Sequence, residues 1–178
     1  MPRRSPAAER DVRLIMDALR HIVRVLRVAS RAAEKRVGLS AAQVFVLQRL
    51  ADGDPLSVGE LAARTFTDQS SVSVVVTRLV QRGLVRRRRS RVDRRRRELA
   101  LTPAGRALVR RSPPAGQEQI LTALEQFAEP ERRALAHTLR RLVVRIGGAE
   151  GVPAMFFEDT GPSSARRRRR GDAASRVS

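Results

Sequence analysis

The chain has 178 residues, 42% hydrophobic and 3% aromatic, with no Trp and no Tyr, and carries a formal net charge of +19. That length fits one domain with tails, and a core built from Leu, Val, Ile and Ala suits helices better than a β-sandwich. The absence of Cys excludes disulfides, zinc fingers and thiol redox sensing.

The positive excess is an electrostatic footprint for a polyanion, because neutralising phosphates releases counterions. Arg far outnumbers Lys (Lys35 is the only one), which also fits compositional drift. Drift does not explain the crowding of Arg between positions 86 and 97. The most apolar run, Ile22 to Val28, is broken by Arg24 and Arg27. Neither a signal peptide nor a membrane span is expected, and the expected location is cytoplasmic.

Ser5-Pro6 reads as a helix start, with Ser as cap and Pro at the first helical position. Apolar residues then recur at Val12, Ile15, Leu19, Ile22, Leu26, Ala29 and Ala33, a heptad-like seam that Leu14, Val23 and Val25 widen. A helix apolar on two sides implies two burial partners. One is its own domain, and the other is either more of this chain or a second subunit. Ser40 to Gln43 forms a capping-box pattern opening a second helix, with Val44, Leu47, Leu50 and Ala51 inward and Asp52-Gly53-Asp54-Pro55 as its end. Ser57 to Glu60 is another capping box, starting a short helix through Leu61, Ala62 and Arg64.

After Thr65-Phe66-Thr67, Asp68 or a neighbouring Ser caps a further helix that runs to Gly83, a residue suited to a left-handed stop. Val72, Val75, Val76 and Leu79 supply its inward face. The Val-rich stretch resembles a strand, but the cap, the spacing and the Gly stop favour a helix. Two Arg-loaded segments then meet at Val92-Asp93-Arg94, and Leu99 and Leu101 alternate with Glu98 and Ala100 as in a half-buried strand.

Thr102-Pro103 opens the next helix, with Ala104, Ala107 and Leu108. Ser112-Pro113-Pro114 interrupts it, since Pro inside a helix costs about 3 kcal/mol. Ser112 is expected to recap a helix carrying Ile120, Leu121, Leu124 and Phe127. The last helix starts at Pro130, is expected to bury Leu135, Leu139, Leu142, Val143 and Ile146, and stops at Gly147-Gly148. Beyond it periodicity is lost. Met155-Phe156-Phe157 is expected to dock locally, and residues 163–178, with five consecutive Arg, read as disordered.

The fold class is therefore mainly α with a small β-hairpin wing, a winged helix-turn-helix. In that arrangement the helix after Asp68 enters the DNA major groove and the hairpin tip reaches the flanking minor groove. The candidate recognition-helix contacts are Gln69, Ser70, Ser71, Ser73, Val74, Thr77 and Arg78, with Ser71 and Ser73 the leading hydroxyls. Hydroxyls near a helix N-terminus reach base edges or phosphates, although at least one Ser is needed as a cap. The candidate wing contacts are Arg91, Asp93, Arg94, Arg95 and Arg96. Arg86 to Arg89, Arg91, Arg94, Arg96 and Arg97 cannot all read bases; about half are expected to touch phosphates, adding affinity without sequence information, and the rest to be solvated.

The ordered motifs LSAAQVFVL, SVGELA, RLVQRGLV and DRRRRELALTPAG resemble the MarR (multiple antibiotic resistance regulator) family over about residues 10–147. The resemblance implies a triangular homodimer with a helical dimerisation region at residues 6–36 and 103–147. It implies a DNA-binding winged helix-turn-helix at 37–102, followed by a C-terminal extension at 148–178. It further implies binding to a pseudo-palindromic double-stranded operator, usually as a repressor, and release by a small anionic or phenolic ligand. The family pattern Asp-x-Arg places Arg95 in the minor groove with Asp93 orienting it. Val74 stands where such proteins often carry Arg. His21, Phe45 and Gln48 are candidates for a ligand pocket. The lack of Cys and Trp separates the chain from the peroxide-sensing and urate-responsive members.

His21 and His137 are the only histidines, and no phosphate-binding Gly-rich loop, nucleophile triad or carboxylate pair is recognisable. No metal, cofactor or enzyme activity is expected. The competing reading is a nonspecific architectural nucleic-acid binder on the same fold, to which the Arg-rich tail would add affinity.

Overall fold

The computed structural model describes residues 5–89, 95, 97–148 and 155–156. Among them, seven helices surround one two-stranded hairpin, in the order α1 (Pro6–Val37), α2 (Ala41–Ala51), α3 (Val58–Thr65), α4 (Gln69–Gln81), β1 (Val85–Arg89), β2 (Arg97–Leu101), α5 (Pro103–Arg111), α6 (Gly116–Glu125) and α7 (Glu129–Arg145).

Most starts are set by short polar side chains that satisfy otherwise orphaned N–H groups. Ser5 accepts from Ala8 N, and Ser40 and Ser57 each form a full capping box with Gln43 and Glu60. Thr102 accepts from Gly105 N at 3.0 Å. Gly38 and Gly83 take the left-handed conformation at the ends of α1 and α4, where a β-carbon would be strained.

Helix α2 is the centre of the packing. Its residues 41–47 are all buried, and it touches α1, α3, α4, α5, α6 and β2. Phe45 and Leu47 meet Leu61 of α3, Val72, Val75, Val76 and Leu79 of α4, and Val85, Leu99 and Leu101 of the hairpin in a single core. Each fully buried Leu or Val there contributes about 1.5–3 kcal/mol relative to exposure. Strands β1 and β2 pair antiparallel with Val85 opposite Leu101 and Arg88 opposite Glu98. Leu56, ahead of α3, adds a bridge to Leu99 through two backbone hydrogen bonds of 3.3 and 2.7 Å. That bridge ties the wing to the helix-turn-helix.

Helix α7 departs from the expected burial, while α1 docks along one part and leaves the rest of its apolar seam open. Only the second half of α1 docks, through Leu26, Ala29, Ser30 and Ala33, while Val12, Ile15 and Ile22 lie exposed. Helix α7 buries nothing. Leu135 is half-buried, and Leu139, Leu142, Val143 and Ile146 face solvent, Ile146 at 72%. Their periodic spacing marks an apolar face, but no element among the described residues covers it. Phe127 lies beyond the end of α6 and is also exposed.

Ser112 does not cap α6. It ends α5 instead, its hydroxyl donating to Val109 O at 2.8 Å, and α6 begins four residues later without a side-chain cap. The intervening elbow is held by Gln48 of α2. Its amide donates to Ser112 Oγ (3.1 Å) and Pro113 O (2.9 Å) and accepts from Ala115 N (3.2 Å). Past the elbow, Gly116 lets α6 lie close on α1. A β-carbon there would fall 3.0 Å from Ala29 Cβ.

Candidate nucleic-acid interface

Helix α4 is amphipathic, and its inner face decides what its outer face can present. Val72, Val75, Val76 and Leu79 are buried. Gln69, Ser70, Val74, Thr77 and Gln81 are exposed, and Ser73 and Arg78 are half-exposed. Ser73, Val74, Thr77, Arg78 and Gln81 line one continuous shallow depression. Within it Val74, 45% exposed, is an apolar residue surrounded by polar ones.

Ser71 departs from expectation. One position before Val72, it turns inward and is only 8% exposed. Gln81 was not foreseen, yet it continues the row Ser73, Thr77, Gln81 at the four-residue spacing that keeps side chains on one face.

The start of α4 is fixed by Asp68. Its Oδ1 accepts from Ser70 N and Ser71 N, both at 2.9 Å, and from the Ser70 hydroxyl. The hydrogen bonds from Ser70 and Ser71 hold the Asp68 carboxyl well below the usual carboxylate range, so it stays charged at the positive end of the helix. The turn before it contains Phe66 in the left-handed conformation (φ 51°), with Thr67 N closing onto Ala62 O at 3.1 Å.

The hairpin joins α4 at two points. Arg87 donates to Thr77 Oγ1 at 3.4 Å, while the Thr77 hydroxyl donates to Ser73 O at 2.8 Å. At the root, the Thr102 hydroxyl donates to Gly83 O at 2.8 Å and Thr102 N to Leu84 O at 3.0 Å. On the other face Arg88 pairs with Glu98 at 3.4 Å, and Arg86 and Arg88 border a cleft with Arg106 and Arg110 of α5. Arg82, at the end of α4, donates to Gly38 O at 2.8 Å. These bonds link α4, the hairpin and the α1–α2 junction to one another.

Of the wing candidates, Arg95 lies exposed in the turn. Arg91, Asp93, Arg94 and Arg96 fall outside the described residues, as do Phe157 and the Arg-rich tail. The pocket candidates are not gathered at one place. His21 is exposed on α1, Gln48 serves the elbow, and Phe45 is buried beneath the α3–α4 turn. No helix of the described residues is long and apolar enough to cross a membrane.

The chain matches the model of the MarR family over residues 37–96. A curated transcriptional regulatory protein for the hcr operon of Thauera aromatica is 31% identical over 120 residues, covering 67% of this chain and 72% of that protein. The HTH-type transcriptional repressor MdtR of Bacillus subtilis is 33% identical over 95 residues, covering 53% of this chain and 59% of that one. Among solved structures, a MarR family transcriptional regulator from Streptomyces coelicolor in complex with DNA aligns over 87% of this chain and 99% of its own. Its TM-score is 0.53 at 20% identity, a likeness of fold.

Proposed function

Because the chain belongs to the MarR family of transcriptional regulators, we propose that it binds a pseudo-palindromic operator as a homodimer and represses transcription until an effector ligand releases it. The observation that carries this reading is the exposed face of α4, backed by a buried Val/Leu face and locked to the basic hairpin through Thr77 and Arg87. That face offers Gln69, Ser70, Ser73, Thr77, Arg78 and Gln81 to hydrogen-bond base edges or phosphates, and Val74 to meet a thymine methyl. The wing, through Arg91, Asp93, Arg94, Arg95 and Arg96, enters the minor groove, where a guanidinium gains from the concentrated negative potential.

Residues 37–102 form the DNA-reading lobe, and residues 6–36 with 103–147 form the dimerisation region. Support for the second assignment comes from the exposed Val12, Ile15 and Ile22 of α1 and Leu139, Leu142 and Val143 of α7. A second copy of this chain would cover both faces. Repression is the role carried by the Bacillus relative, and the place of action is the nucleoid.

The test is selection of bound DNA from a random pool with the purified full chain. The expected result is a palindrome with half-sites about one helical turn, 10 to 10.5 base pairs, apart. Its affinity should exceed that for random DNA by about a thousandfold or more. Uniform retention of all sequences would overturn the reading in favour of an architectural binder, the role the charge of +19 alone would support.

A further inference from the structure

Helix α1 carries a second cationic surface, distinct from α4 and the wing. The helix holds seven arginines in 32 residues. Five of them, Arg13, Arg20, Arg24, Arg27 and Arg31, fall within an arc of about 80°, at about 100° of rotation per residue. At a rise of about 1.5 Å per residue the stripe runs for about 27 Å. All five are exposed. Leu26, Ala29 and Ala33, which dock α1 on the rest of the chain, lie about half a turn round the helix.

Compositional drift toward Arg would scatter the residue round the helix, and a merely solvated face mixes charges of both signs. Between Arg13 and Arg31 the one acid is Asp17, and it pairs with Arg20. Arg13, Arg24, Arg27 and Arg31 have no carboxylate partner among the described residues. Arg20–Arg24, Arg24–Arg27 and Arg27–Arg31 are successive like-charge neighbours at helical spacing, each unfavourable on its own. Together they border a shallow groove floored by Leu19, Val23 and Val28, a surface for the aliphatic stems that leaves the guanidinium groups outermost. Such a face is complementary to a ligand whose negative charge repeats over the same length.

We propose that this stripe binds the phosphate backbone of a second DNA duplex, so that one assembly holds two duplexes together. Duplex DNA carries a charge about every 1.7 Å of its axis, so a row of guanidinium groups meets phosphates along its whole length. Guanidinium pairs with phosphate through two parallel N–H donors, which favours Arg over Lys in such a face. The contact reads no base edges and adds no operator preference. Ile15 and Ile22, which the proposed dimer covers, sit on the docking side of α1, so that assembly leaves the stripe open. Capture of the first duplex rests on the regulator reading; the affinity of the stripe for phosphates does not.

The test is a bridging assay with the full chain. A biotinylated duplex of random sequence, long enough to occupy both lobes of a dimer, is held on beads, and a fluorescent duplex of equal length is added in solution. The parent chain should retain the fluorescent duplex. The combined variant Arg24→Gln, Arg27→Gln and Arg31→Gln should retain tenfold or more less at concentrations that saturate the bead duplex. Its gel-shift affinity for a single duplex should stay within threefold of the parent, with an unchanged circular dichroism spectrum. Lys at the same three positions should restore most of the retention, since the charge remains. No retention by the parent, full retention by the Gln variant, or failure of Lys to restore it would each overturn the proposal. Equal losses in both assays would place the stripe on the duplex that α4 reads and overturn it too. Sedimentation with phosphatidylglycerol vesicles through the same arginines, in place of bridging, would assign the stripe to a lipid surface instead. The assay uses random DNA, so a failed operator selection leaves its outcome standing, and absence of bridging leaves the operator reading standing.

Discussion

Gly105 occupies a position that admits no side chain. A β-carbon there would lie 2.1 Å from Leu84 O, in the backbone joining α4 to the wing. Gly105→Ala must push the start of α5 away from that joint. Overpacking of this kind costs about 1–3 kcal/mol, to be read by urea denaturation, and DNA affinity should fall with it because the wing root moves. Asp68 makes a second residue-scale prediction. Its folded-state pKa lies below the ordinary 3.8, so its stabilising contribution is complete above that value and is lost as pH falls through the folded pKa. In an acid titration followed by circular dichroism, Asp68→Asn should lose part of the parent's steep decline below about pH 4. An unchanged decline would show that other carboxylates govern acid unfolding.

At the scale of elements, the wing makes the sharpest claim. Arg95→Ala should weaken operator binding at least tenfold while the chain stays folded by circular dichroism, Arg95 lying exposed in the turn. Equal gel-shift affinity would remove it from the interface. Elements were legible in the sequence wherever their determinants are local. The capping pairs Ser40–Gln43 and Ser57–Glu60, the Asp68 and Thr102 caps and the Gly83 stop all depend on residues within a few positions of one another. Ser112 misled because a Ser before two prolines is a good cap in isolation. Here its hydroxyl is taken by Val109 O and by Gln48, 64 positions away in sequence. The outward row on α4 was readable except at its edges: the phase set by Val72 turns Ser71 inward, and Gln81 follows Thr77 by one helical repeat.

At the scale of the molecule, apolar periodicity reveals a face without naming what covers it. That is why the burial expected along α7 is missing among the described residues, and why the first half of α1 lies open there. A charge on either face should therefore act on assembly more than on folding. Ile15→Glu, at a residue 54% exposed, or Leu142→Glu should shift the chain to monomer in analytical ultracentrifugation while helix content is kept. DNA affinity should drop by about a hundredfold or more as the second half-site is lost. Dimers persisting in both variants would place the subunit contact elsewhere. The charge of +19 adds a further expectation: affinity should fall steeply with salt, for random DNA as well as for the operator.

The Gln48 amide at the α5–α6 elbow bears on which parts of this chain can be exchanged. It matches the broken backbone on both sides, its NH2 donating to Ser112 Oγ and Pro113 O and its oxygen accepting from Ala115 N. A chimaera that grafts an uninterrupted helix over residues 103–125 would leave those groups unmatched, at a cost of about 1–3 kcal/mol for each one buried. Transplanting the DNA-reading lobe, α2 included, therefore requires taking the elbow with it. Swapping only the outward residues of α4 leaves the Gln48 bonds untouched, which makes that helix face the cleaner unit for altering operator preference.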